Sequence, residues 1–481
     1  MNPLLPGFWP DPSICRVGAD YYLANSSFEY VPGIPLHHST DLVTWTPIGH
    51  AIDRPGQLDL SPVRDSGGLY APALRYSAGT FYLACTVVGE SPDAGSFYVT
   101  ATDPRGDWSD PVFLPDAIGF DPSMYFADDG RVWWVQCREK ADGAYEGETE
   151  VWLRELDLAA GTLVGPEHLI GGAKLKGGRW AEGPHIHHRD GWFYLLTAEG
   201  GTELAHAVMV ARSRTVTGPY EPFAHNPILT HRHLGRTSTV RSVGHLDLVD
   251  DPAGGWHAVA LASRQVGDRV VLGRETFGAE IGWEDGWPVV NPGIGQLSGV
   301  VDRPQRESGS PATSGDFLSV RTRAHVDDRA DGILLAPDDD GRGGLWRRLL
   351  NHRADVRIGA RLLDPDARVR VGLRQSDAFG LALEVGPRET SWIEIRDGVE
   401  RVHRTVHATI DSAFQVELQV RTDVVEAVLR SGDALRTLGA IPVDVLTVET
   451  AGGFVGTTYG VRAIGPASSR VLVTDWAHHG I

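Results

Sequence analysis

Apolar residues over the first three hundred positions come in short bursts, not at helical spacing. DPSICRVGADYYLANS from Asp11 runs as an apolar strand, a Gly-containing turn and an aromatic-rich strand. The same order recurs in APALRYSAGTFYLACTV from Ala71, DPSMYFADDGRVWWVQC from Asp121 and EGPHIHHRDGWFYLLTAEG from Glu182, and more loosely in GHLDLVDDPAGGWHAVALAS from Gly244. Runs of Tyr, Phe, Trp, Val and Leu broken by Gly, Asp-Gly and Pro signal strands and turns, and no long stretch keeps a helical period. Pro12, Pro72, Pro122 and Pro184 are separated by 60, 50 and 62 residues, and His245 follows 61 later. Repeats of this length, each with strands for one small sheet, predict blades around an axis. The expectation is an all-β chain with a five-bladed β-propeller over 1–301; separate hairpins in an ordinary sandwich are the alternative.

Residues 302–316 are polar and rich in Pro, Gly and Ser, and read as a linker. Beyond them RVRVGLR, SWIEIRD, FQVELQV and VVEAVLRS alternate with period 2, which predicts an accessory β-sandwich over 317–481. No acid, Cys or His constellation stands out there, so its expected role is support. The Gly-rich ETAGGFVGTTYG at 449–460 reads as a plain hairpin turn, with a loop reaching the propeller as the alternative.

At 481 residues two domains are the default expectation. A net charge of −19 argues against nucleic acid and anionic membrane surfaces as partners. No apolar run is long enough for a membrane helix, the first residues lack the features of a secretory signal, and the three scattered cysteines form no disulfide framework. The expected location is therefore cytoplasmic.

The repeat places equivalent residues at equivalent points around the axis. Asp11, Asp121 and Glu182 then stand at the rim of one funnel, while Ala71 and His245 occupy the other two blades. Close like charges cost about 4 kcal/mol per pair at an effective dielectric of 20, so three converging acids point to function. Paired carboxylates in an aromatic-walled cleft suit glycosidic bond cleavage, one as acid and one acting on the anomeric side. A third can keep the proton on the acid by repulsion. Glu182, with the longer reach, is the better acid. His185, His187 and His188 lack the spacing and companion ligands of a metal site, so no metal is expected there.

NPLLPGFWPDPSICRVGADYYLANSSFEYVPGIPLHHSTDL, GFDPSMYFADDGRVWW, WAEGPHI and LGRETF…WEDGWPVV together resemble glycoside hydrolase family 43 across essentially all of 1–300, and the sandwich resembles the extra domain of its β-xylosidase and α-L-arabinofuranosidase branch. The resemblance implies an inverting hydrolase removing single pentose units from the ends of small oligosaccharides, with no organic cofactor. It implies Asp11 as general base, Asp121 as the residue tuning and orienting the acid, and Glu182 as general acid. It further implies Arg274 as a substrate-binding arginine, Phe28 and Tyr70 in the pocket wall and His245 on the axis. The sequence departs from the family pattern at Tyr70, where Trp is common, at Ala127, where a third Asp is common, and over 231–245.

The leading expectation is a β-xylosidase with α-L-arabinofuranosidase activity possible at the same site. The alternatives are a main α-L-arabinofuranosidase activity, a retaining fructan hydrolase, or a sugar-binding propeller without catalysis. Whether a cation sits near His245, and whether the chain forms a homo-oligomer, stays open at this level.

Overall fold

The computed structural model describes residues 2–175, 177–301, 303–338, 343–411 and 413–481. Strands make up 53% of the chain and helix 3%, so the architecture is all-β. Five antiparallel sheets of four or five strands follow one another between Ser13 and Val290. Their first long strands are Ser13–Val17, Ala73–Ser77, Phe120–Phe126, Glu182–Arg189 and Val240–Asp250. Each of these contacts the next in this order, and the last contacts the first, which closes a ring. This is the five-bladed β-propeller.

The sequence builds this ring because each blade is sandwiched between two others. Val132–Glu139 (VWWVQCRE) is buried on both faces over its first six residues, so the usual in–out alternation gives way to a continuous apolar run. Five apolar clusters fill the five gaps. Trp134 and Trp152 pack against Ala84 and Tyr98 between the second and third blades, and Trp133 and Leu153 meet Ile186 and Leu195 between the third and fourth. Ile14 and Leu23 meet Val249 and Val259 between the first and the last. The ring is also latched by the N-terminal segment. Asn2 exchanges side-chain hydrogen bonds with Gly278, and Leu4 N donates to Thr276 O at 2.8 Å, both on the fifth blade.

Two further sheets of eight and six strands pack face to face and share one core, with Val356, Ile358, Val416 and Leu418 from one sheet and Val371, Leu383, Trp392 and Val461 from the other. This is the β-sandwich. Asp302, the first residue of the stretch read as a linker, lies outside the described residues. Within that stretch Arg306–Gly309 pairs with Val471–Gly480, so part of it is strand. Ser319–Val320 then pairs with Tyr30–Val31 of the first blade, and Phe8, Phe28, Tyr30, Leu318, Val320 and Val455 form one apolar cluster. The two sheet systems meet beside Phe28.

Candidate active site

The axis of the ring carries the acids. Asp11 sits just before the first strand of the first blade and Asp121 is the second residue of the first strand of the third, and both have left-handed backbone, φ 50° and 53°. His245 in the fifth blade is similar at φ 49°. Non-glycine residues held there cost about 1–3 kcal/mol each, a cost that concentrates at functional sites. In the fourth blade the left-handed residue is Gly183 at φ 56°, and Glu182 precedes it. Strand register says the same: Glu182 pairs with Ala198 as Phe120 pairs with Cys137, each just before an irregularity. Glu182 is therefore not the positional equivalent of Asp11 and Asp121. It enters the funnel one residue earlier, and Gly183 takes the equivalent place. A Cβ on Gly183 would lie 2.8 Å from His245 Cε1, so the close ring excludes any side chain there.

Asp11 and Asp121 are buried and Glu182 half-buried, and the charges of Asp121 and Asp11 both act on Glu182. Asp11 accepts from Arg274 Nη1 at 2.7 Å and from Ser26 Oγ at 2.6 Å, one donor on each oxygen. Asp121 accepts from Gly183 N at 3.1 Å. Burial raises the Asp121 carboxyl to about 6; His245 opposes the shift and the Asp11 charge adds to it. Burial, then the charges of Asp121 and Asp11, hold the Glu182 carboxyl well above the usual range. His245 Nδ1 lies 3.9 Å from Asp11 Oδ1.

Deeper along the axis a second set of polar groups is internally paired. Asp247, with no exposed surface, accepts from Arg75, Ser13 and His187. His185 Nδ1 faces Arg75 at 2.9 Å. Two of the three histidines weighed as metal ligands, His185 and His187, are thus engaged with an Arg–Asp pair. Among the described residues no group of three or more His, Cys, Asp or Glu is arranged to hold a metal ion.

Aromatic rings wall the site. Phe28 (φ 50°) packs against Tyr70 at a centroid distance of 5.0 Å, and both rings lie 5.9 Å from that of Phe454. The Arg274 guanidinium lies 5.5 Å from the Phe28 centroid and 5.6 Å from that of Phe454, while Nη2 donates to Phe454 O at 3.3 Å. Beside Arg274 a cleft of about 370 Å³ opens between Thr202, Arg236, Arg241 and the segment 448–455.

Phe454 corrects one expectation. The stretch 449–460 is not a plain hairpin turn; it is a strap from the sandwich laid on the propeller. Val448 N donates to Val270 O and Thr457 N to Val271 O, at 2.9 and 3.1 Å, and Arg241 pairs with Glu449. Glycines make the approach feasible: a Cβ on Gly273 would lie 2.7 Å from Gly456 Cα, and one on Gly456 2.1 Å from Leu272 O. The signal was present in the sequence as an aromatic residue directly after two glycines.

Tyr70 donates its hydroxyl to Ser66 O at 2.8 Å and faces the pocket rings. Ala127 lies in the turn closed by Gly130 N to Ala127 O, in the apolar cluster between blades three and four. Over 231–245, His231 is buried and bridges Val240 O and Leu297 N, a structural role within the fifth blade.

The chain belongs to glycosyl hydrolase family 43, whose family model matches residues 1–288. It is 47% identical over 343 residues to a xylosidase/arabinosidase of Butyrivibrio fibrisolvens, an alignment covering 70% of this chain and 65% of that protein. It is 40% identical over 338 residues to a non-reducing-end α-L-arabinofuranosidase of Bacteroides ovatus, covering 67% and 61% respectively. The alignments therefore span less than two thirds of these relatives' lengths. Among solved structures, a xylan β-1,4-xylosidase of Bacillus halodurans superimposes with a TM-score of 0.90 at 28% identity, covering 99% of both chains.

Proposed function

We propose that this chain is an inverting, exo-acting hydrolase that removes terminal pentose units from short xylo-oligosaccharides, as a β-xylosidase with α-L-arabinofuranosidase activity at the same site. One observation carries the reading: the Asp121 and Asp11 charges help push the Glu182 carboxyl well up, while Asp11 is held by two donors. The names of the relatives support the sugar class.

In this reading Glu182 is the general acid. Burial and two neighbouring carboxylates oppose its ionisation, so it holds its proton to higher pH than an ordinary glutamate and gives that proton to the leaving oxygen. Asp11 is the general base. Arg274 and Ser26 orient its carboxylate so that it takes a proton from a water attacking the anomeric carbon from the face opposite the leaving group. Asp121 supplies part of the repulsion on Glu182 and, through the Gly183 amide, orients the backbone that carries it. Arg274, Phe28, Tyr70 and Phe454 form the wall against which the terminal sugar rests. Acid–base chemistry of this kind needs no organic cofactor.

The test is turnover of 4-nitrophenyl β-D-xylopyranoside and 4-nitrophenyl α-L-arabinofuranoside, side by side, with Asp11→Ala as control. Release from either glycoside, lost in the variant, supports the reading and ranks the two sugars. No release from either overturns it.

A further inference from the structure

We infer that Glu29, acting through Ser66, is a positioning residue that sets the aromatic wall Phe28–Tyr70–Phe454 against the three carboxylates. The inference rests on the proposed function for its consequence, and on geometry for its content.

Glu29 follows Phe28 in the chain and is fully buried. Its Oε2 accepts from Ser66 N at 3.0 Å. Ser66 in turn holds the other two rings: its Oγ accepts from Phe454 N at 2.8 Å and its carbonyl from the Tyr70 hydroxyl at 2.8 Å. Phe28 itself is paired through its backbone with Leu69, at 3.0 Å in both directions. A single serine, in left-handed backbone at φ 59°, thus joins the two ring-bearing segments, and a single carboxylate fixes that serine. Gly453 lets the strap come this close, since a Cβ there would lie 2.6 Å from Ser66 Oγ.

The other side of Glu29 belongs to the sandwich. Arg374 Nη2 lies 3.6 Å from Glu29 Oε1, and Arg374 also donates to Asp65 and to the Tyr30 hydroxyl. Arg321 N donates to Glu29 O at 2.6 Å and its guanidinium bridges Asp65 and Asp377. Three acids and two arginines therefore meet behind the wall. Burying charge this way is a poor means of gaining stability compared with apolar packing. Burial raises the Glu29 carboxyl to about 7, with Arg374 opposing it. What the carboxylate does accomplish is to hold the Ser66 amide, and so to couple the sandwich to the pocket.

The experiment compares Glu29→Ala, Glu29→Gln and Ser66→Gly with the wild type, by kinetics on 4-nitrophenyl β-D-xylopyranoside and by crystal structures. Ser66→Gly suits the left-handed backbone and removes the short side chain whose hydroxyl receives Phe454 N, so it tests the joint even where Glu29→Ala does not fold. Glu29→Ala and Ser66→Gly are expected to raise KM about tenfold with kcat within about twofold, the mark of lost uniform binding. Glu29→Gln, which keeps an oxygen for Ser66 N, recovers most of the loss. Phe454 is expected to move by about 1 Å or more in the Ser66→Gly crystal, a displacement of the size that matters to a pocket. Folded variants with unchanged KM and superimposable rings overturn the inference. Should the wild type turn over no pentoside, the proposed function fails, while the ring positions still decide this one.

Discussion

The amide of Gly183 donates to the carboxylate of Asp121 at 3.1 Å, and Gly183 is the residue directly after Glu182. The peptide carrying one acid is thereby fixed by the other, while their charges oppose each other through space. Orientation and pKa are set by the same pair. This relationship makes Asp121 a residue whose loss is read on Glu182.

The first consequence concerns the alkaline limb of activity. In the proposed reaction Glu182 acts in its protonated form, and the Asp121 charge favours that form. Asp121→Asn removes that charge while suiting the left-handed backbone. The alkaline limb of kcat/KM is expected to move down by about one pH unit. A pH–rate profile of both proteins checks it; an unmoved limb separates Asp121 from Glu182.

The same group predicts a stability effect with a definite sign. The Asp121 carboxyl is raised from its ordinary value near 3.8 to about 6 in the folded protein. Between these values the folded state binds more protons than the unfolded state, so stability falls as pH rises through that window and stays lower above it. Asp121→Asn is expected to be more stable than wild type at pH 8, by on the order of 1–3 kcal/mol, with the advantage gone at pH 4. Denaturant titrations at the two pH values test it, and an equal difference at both contradicts it.

Acid and base are separable by leaving group. 4-Nitrophenolate departs with little protonation, whereas the sugar hydroxyl released from xylobiose needs it. Glu182→Gln is therefore expected to lose about 10²–10⁴-fold on xylobiose and much less on the nitrophenyl glycoside. Asp11→Ala loses on both, because both need an activated water. Equal losses by Glu182→Gln on the two substrates assign Glu182 some other role.

Phe454 carries a prediction across the two domains. Its ring stacks on Phe28 and its carbonyl accepts from Arg274, although 426 residues separate the two rings in sequence. Phe454→Ala is expected to raise KM about tenfold with a small change in kcat. The fold should be unaffected, since the side chain is 39% exposed. Thermal melting and steady-state kinetics on the same preparation check both halves.

Much of this was legible along the chain, and the exceptions have physical causes. The Asp-Pro-Ser repeats at Asp11 and Asp121 announce both the blades and two of the acids, because a propeller repeats its innermost strand once per blade. Glu182 is visible as an acid in the fourth repeat, and its one-residue offset shows against the prolines: Asp11 and Asp121 directly precede theirs, whereas Glu182 stands two residues before Pro184. What the sequence does not show is how the offset is accommodated, with the strand pairing breaking after Glu182 as it does after Phe120. Arg75, which crosses to Asp247 in the fifth blade, reads locally as an ordinary strand arginine. Ser66 reads as a turn residue in DSGGLY, and only the fold brings Phe454 and Glu29 to it. The strap was misread because a Gly-Gly pair signals a turn equally well whether or not the turn lands on another sheet.

The central claim, that Asp11 and Glu182 perform a single displacement at a pentose, is tested most directly by proton NMR of the first sugar released from 4-nitrophenyl β-D-xylopyranoside. The account predicts α-xylose first, with β-xylose growing in only at the rate of mutarotation. β-Xylose as the first product would mean a covalent intermediate and would contradict the roles given to both residues.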